Sequence, residues 1–159
     1  MTFTDDLPPW SSLRQAVAEL RPDSERAWGT MTSAQMLKHV NGFCDLYAGN
    51  LPVSWPVRVV ARLVGKRFLS RVAAKTPTAT PRNMTTLPAL RSASGSAIDL
   101  DEERQKFLAH SRWFEDLEAR GGKARHPMYG EMAVGEMSGL VRHHTAHHFH
   151  QFQLLQSSE

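Results

Sequence analysis

The sequence predicts an all-α protein, an antiparallel four-helix bundle with an additional short helix and a long loop. Apolar residues recur at helical spacing in several stretches of the 159 residues. No run alternates as a strand would, and no segment repeats. With 41% hydrophobic and 22% charged residues the composition is that of an ordinary globular chain. This length suits one domain, 1–159, with its own core.

Taken in order, Leu7-Pro8-Pro9-Trp10 reads as an extended lead-in. Ser11 or Ser12 can cap a helix that continues to about Leu20, with Leu13, Ala16, Val17 and Leu20 on one face. Arg21 ends it, because the residue before Pro22 avoids the α region. Thr32 and Gln35 have capping-box spacing. The helix they open should reach Tyr47 or Ala48, before Gly49, with Gln35, Met36, His39, Phe43 and Leu46 facing inward. After a turn around Pro52 and Pro56, Val57, Val60, Ala61, Val64, Phe68 and Val72 form the inward stripe of a third helix, and its arginines take the other face. Gly65 weakens that helix. Residues 75–97 carry Pro77, Pro81, Pro88 and Gly95 and are expected to form a long loop, a candidate lid. Asp99 or Asp101 can cap the next helix, with Asp101, Glu102 and Glu103 favourable to its dipole. That helix should bury Phe107, Leu108, Leu117 and either Trp113 or Phe114, and stop at Gly121-Gly122. A connection over 123–133 leads to a final helix from Val134 or Gly135 to about Gln156.

Composition also narrows the function classes. No run approaches the ~20 apolar residues of a membrane span, and the acidic start lacks the apolar core of a secretory signal, so a cytoplasmic protein without a membrane partner is expected. A single cysteine, Cys44, allows no intrachain disulfide. Net charge is +3, with basic residues scattered apart from Arg58, Arg62, Lys66, Arg67 and Arg71. No nucleic-acid docking element accompanies them, and no nucleic-acid partner is expected.

The chemistry concentrates in the last helix. Five of the eight histidines lie within residues 143–150. On a wheel of about 100° per residue, Met137, Leu140, Val141, His147, His148, Gln151 and Leu155 fall within roughly 60° of His144. His143 and His150 point away, and Phe149 lies on the far side. His144 and His148, one turn apart, can close on one cation. His39, inward on the second helix, can supply a third nitrogen. Three neutral imidazoles with an open fourth position form a catalytic rather than a structural arrangement, suited to Zn or Ni, with Fe or Mn as further candidates. No HExxH places a glutamate base beside them.

Three stretches carry a resemblance. Residues 28–39 (Trp28-Gly29-Thr30-Met31 through Gln35-Met36-Leu37-Lys38-His39), His126-Pro127-Met128-Tyr129-Gly130, and the HxxHHxxQ spacing from His144 to Gln151 together resemble the DinB-like (YfiT-like) metal-binding four-helix-bundle superfamily. The closest likeness is to a branch of bacterial proteins of unknown function. The likeness spans about residues 21–152 and is poorest over 75–97. The start of the last helix departs from the Thr-Pro-Glu-Glu of many relatives, with Ala133-Val134-Gly135-Glu136 in its place. The resemblance implies a metal held by His39, His144 and His148, with His147 an extra histidine and Gln151 supporting or packing. It also implies a homodimer as a candidate assembly.

Characterised relatives include thiol S-transferases and a mycothiol-dependent isomerase. A metal-dependent thiol transferase acting on electrophilic small molecules is therefore expected, with a low-molecular-weight thiol as co-substrate. Alternatives are a metal-dependent hydrolase and a non-enzymatic metal-binding or stress-related interaction protein. His147 and Tyr129 are candidates for a general base.

Overall fold

The computed structural model describes residues 3, 7–82, 90 and 97–155. Five α-helices run in the order α1 (Trp10–Ala18), α2 (Ser33–Ala48), α3 (Trp55–Ala73), α4 (Leu100–Arg120) and α5 (Val134–Gln151). A 3-10 turn covers Pro77–Ala79, and a hairpin of β1 (Lys123–His126) and β2 (Gly130–Ala133) separates α4 from α5. Helices α1, α2, α4 and α5 pack on one another. Leu13, Met36, Leu37, Phe107, Phe114 and Phe149 are fully buried between them. Trp10 stacks on Phe114 and donates its indole N–H to Ser138 Oγ at 3.0 Å. No helix among the described residues is long and apolar enough to cross a membrane.

Local signals set most helix ends. Thr32 and Gln35 form a reciprocal capping box on α2, and Gly49 ends that helix in the left-handed region at φ 85°. Asp99 accepts from the N–H groups of Asp101 and Glu102 at the start of α4. Of the pair Trp113 and Phe114, it is Phe114 that is buried, whereas Trp113 is 40% exposed. Helix α1 begins earlier than expected, at Trp10, with no side-chain cap. Ser11 and Ser12 therefore lie in its first turn. Helix α5 ends earlier than expected, at Gln151, followed by Gln153 at φ 57°.

An all-α class is too narrow, because 123–133 is not a plain connection. β1 and β2 pair antiparallel in the register Lys123↔Ala133, Ala124↔Met132, Arg125↔Glu131 and His126↔Gly130. The turn is pinned by His126, whose Nδ1 accepts from the N–H groups of Met128 and Tyr129 at 3.1 and 3.3 Å. Gly130 supplies a positive φ of 78°. Lys123 pairs with Glu131 across the strands at 2.8 Å.

The other correction concerns α3. Of its expected inward stripe, Val57, Ala61 and Val72 are half-buried, but Val60, Val64 and Phe68 are exposed. The helix meets the rest of the chain along one edge, through Gly65, Leu69 and Ala73, all buried. Gly65 does not break the helix. It admits the Tyr129 ring: a Cβ there would lie 2.5 Å from Tyr129 Cε1. Glycine to alanine in an open helix position stabilises by about 1 kcal/mol. Here the sign reverses, because Tyr129 is backed by the His126 ring at 4.7 Å and overpacking costs about 1–3 kcal/mol. Gly65→Ala is expected to destabilise the protein in urea unfolding. In a Tyr129→Ala background the same substitution should become stabilising.

Candidate metal centre

Helix α2 presents His39, and α5 presents His144 and His148. One ring nitrogen of each lies within 4.8 Å of the others, and the three residues together could hold a metal ion. His39 Nε2 and His144 Nε2 are 3.1 Å apart. The outer nitrogens are committed elsewhere. His39 Nδ1 lies 3.1 Å from the Leu90 carbonyl, and His148 Nδ1 lies 2.8 Å from Gln151 Oε1. Carbonyl oxygens only accept, so each Nδ1 carries the proton and each Nε2 presents a lone pair. Gln151 is fixed in turn, because its Nε2 donates to the Trp28 carbonyl at 2.8 Å. The His144 ring lies flat on Phe43, with centroids 3.9 Å apart and planes at 13°.

Burial keeps these imidazoles neutral. It lowers the pKa of His39, drives that of His144 well below the ordinary value, and brings that of His148 down to about 3. The neighbouring histidines push His144 further the same way. Neutral imidazole is the form that ligates a metal. The donor set therefore fits a divalent ion: three neutral imidazoles, two of them held by hydrogen bonds of the kind that orient metal-binding histidines and the third stacked on Phe43.

The three histidines line a cavity of about 1110 Å³. Its walls include Phe43, Val57, Phe68, Met128 and Tyr129, and among the described residues no carboxylate, lysine or arginine lines it. Nothing in the wall would offset the charge of a bound ion. Outside the lining, the Arg82 guanidinium lies over the ring of Trp28, a wall residue, at 4.4 Å.

Of the other α5 histidines, His147 lies where the wheel puts it and His143 does not. His143 is 2% exposed, with Nε2 3.0 Å from the Lys75 carbonyl. It therefore faces the 75–79 segment, not solvent. His147 lines the cavity, with Nδ1 3.0 Å from the Pro77 carbonyl. Phe149 packs against Phe107 on the opposite side, and His150 is half-buried. Helix α5 is buried on nearly every face, so a one-sided stripe understates what its side chains touch. Both general-base candidates, His147 and Tyr129, are in the cavity wall.

The described parts of 75–97 border the cavity. His143 and His147 tether the 3-10 turn, Thr80 and Pro81 join the wall, and Leu90 meets His39. The rest of the candidate lid, 83–89 and 91–96, lies outside the described residues. Sequence reasoning did not find the supporting carbonyls of Leu90 and Trp28, because a backbone oxygen carries no residue signature.

A family model described as "Protein of unknown function (DUF1569)" matches residues 8–154. No curated protein and no solved structure matches the chain.

Proposed function

We propose that this chain, which belongs to the DUF1569 family, is a metal-dependent enzyme that holds one divalent ion, zinc or nickel, through His39, His144 and His148. The observation that carries the reading is the convergence of three neutral imidazoles, two of which, His39 and His148, already have their outer nitrogens hydrogen-bonded. We read the four packed helices α1, α2, α4 and α5 as a four-helix bundle of the DinB-like kind, which the sequence motifs resemble.

The ion, when bound, lowers the pKa of a thiol or water at its open position. The chain's own residues do the rest. Gln151 and the Leu90 carbonyl hold two imidazoles in the ligating tautomer. Phe43 fixes the plane of the third. The apolar wall excludes water around a nucleophile. Thiol transfer to an electrophilic small molecule is the chemistry this arrangement supports best. The thiol proton leaves to a base or solvent, the sulfur bonds to the electrophilic carbon, and the leaving group departs with its electron pair. A cavity of this volume above the histidines favours an enzyme over a closed metal-binding scaffold.

Elemental analysis of untagged protein tests the site. Wild type should carry close to one equivalent of metal, and His39→Ala and His144→Ala far less. Equal metal in all three preparations would refute the ligand set. Thiol consumption against a panel of electrophiles tests the reaction. No metal-dependent turnover on any of them would sink the transferase reading and leave the site standing.

A further inference from the structure

Helix α3 leaves an apolar face in water. Trp55, Val59, Leu63 and Val64 are 69%, 47%, 78% and 57% exposed, and none of them lines the cavity. Apart from Trp113, every large apolar side chain exposed among the described residues belongs to this helix. Arg58, Arg62, Arg67 and Arg71 are interleaved with them and also exposed. Among the described residues, no carboxylate pairs with any of these four arginines.

The charge of the whole chain is segregated in the same way. Residues 46–98 contain eight basic residues and no acidic one, leaving 11 basic against 16 acidic residues elsewhere. A modest net charge of +3 thus hides a strongly basic segment on an acidic body.

An exposed apolar row is unfavourable in water, and an unneutralised basic row repels itself. One kind of partner relieves both: an anionic surface with an apolar interior. A second copy of the chain, paired by a two-fold axis through α3, would set arginines against arginines. A nucleic acid would neutralise the arginines and leave Trp55, Val59, Leu63 and Val64 in water.

We propose that α3 is an interfacial helix that lies on an anionic lipid surface. Its apolar side chains enter the acyl boundary and its arginines reach the phosphates. Trp55, at the first turn, suits the headgroup level. The helix lies on the bilayer rather than crossing it, since no described helix is long and apolar enough to span. The edge that faces the body carries Val57, Ala61, Leu69 and Val72, which wall the cavity. Docking therefore sets the cavity beside the membrane, where apolar compounds concentrate. The sequence pointed to no membrane partner; the exposure of Trp55, Val59, Leu63 and Val64 is what changes the reading.

Flotation of the full-length protein with vesicles tests the proposal. One set is pure phosphatidylcholine, and the other contains roughly one-third phosphatidylglycerol. Partition onto the anionic vesicles should exceed the neutral set at least about tenfold, and fall steeply between about 0.1 and 0.5 M salt. Arg62→Gln with Arg67→Gln should weaken it by an order of magnitude or more, at about fivefold per charge. Leu63→Glu should weaken it similarly, with the metal content unchanged. If Leu63→Glu does not fold, the arginine pair decides, because Arg62 and Arg67 are exposed. Equal binding to both vesicle types, or none to either, would overturn the proposal. So would binding insensitive to the arginine pair. A dimer seen by sedimentation velocity and dissolved by Leu63→Glu, without vesicle binding, would assign the face to a second copy instead. Duplex DNA binding that survives Leu63→Glu, again without vesicle binding, would assign it to nucleic acid.

Discussion

A His126→Asn variant is expected to lose about 3 kcal/mol less stability than the wild type when pH falls from 7 to 4. Burial holds the His126 imidazole down to about 4. The side chain is 1% exposed, its Nδ1 already accepts two backbone N–H groups, and its Nε2 is buried without a partner. A proton on Nδ1 would break both turn contacts. Above pH 6.5 the ring is neutral in both folded and unfolded chains, and it contributes no pH dependence. Below 6.5 the unfolded chain takes up a proton that the folded chain refuses, so stability falls with pH. The loss levels off below about 4, where the folded ring protonates too.

Asparagine tests this because its side-chain oxygen can accept the same N–H groups, as in an Asx turn, and does not titrate. The variant also loses ring contacts to Tyr47 and Tyr129, at 4.2 and 4.7 Å. Its stability at neutral pH will therefore be lower, and the slope with pH is the quantity to compare. Urea unfolding of chelator-treated protein across this range measures it. Identical slopes for wild type and variant would mean that His126 is not held neutral. Every other histidine is also depressed by burial, so the wild-type limb should be steep.

The parts of the fold that sequence made legible are those set within one helical turn. Thr32 with Gln35, Asp99, and Gly49 mark their helix ends by side-chain or backbone chemistry that depends only on near neighbours. His39, His144 and His148 were also legible, because helical spacing alone decides which imidazoles share a face, and two such faces meet in the structure. The hairpin was not. Its strands are four residues each, too short for a period of two to stand out, and the His126 contacts that pin the turn show only in the structure. The exposure of α3 was hidden for a different reason. A helical stripe says which side chains point together; it does not say whether another element arrives to cover them. On α5 the error ran the other way: a helix buried on nearly every face leaves no solvent side for His143 to occupy.

Gln151 links the candidate metal-binding His148 to the Trp28 segment, and its replacement should weaken metal binding by about 10–100-fold. The residue sits at the end of α5, 3% exposed. Its oxygen accepts the His148 Nδ1–H at 2.8 Å, and its nitrogen donates to the Trp28 carbonyl at the same distance. The Gln151 carbonyl accepts the Ala27 N–H at 2.8 Å, so side chain and backbone together hold the 27–28 segment. Gln151→Leu keeps that backbone contact and much of the side-chain volume, but removes both side-chain partners. The His148 Nδ1–H is then buried without an acceptor, at a cost of about 1–3 kcal/mol. The ring can recover only by turning or by moving its proton to Nε2, and either change spoils the ligating lone pair. Zinc titration by calorimetry at pH 7.5 should show the loss of affinity. Gln151→Glu separates orientation from simple packing, because a carboxylate accepts the same proton and raises the basicity of the ring. It should retain affinity near the wild-type level even though its contact with the Trp28 carbonyl is lost. Equal weakening by leucine and glutamate would place the role of Gln151 in holding the 27–28 segment rather than in orienting His148.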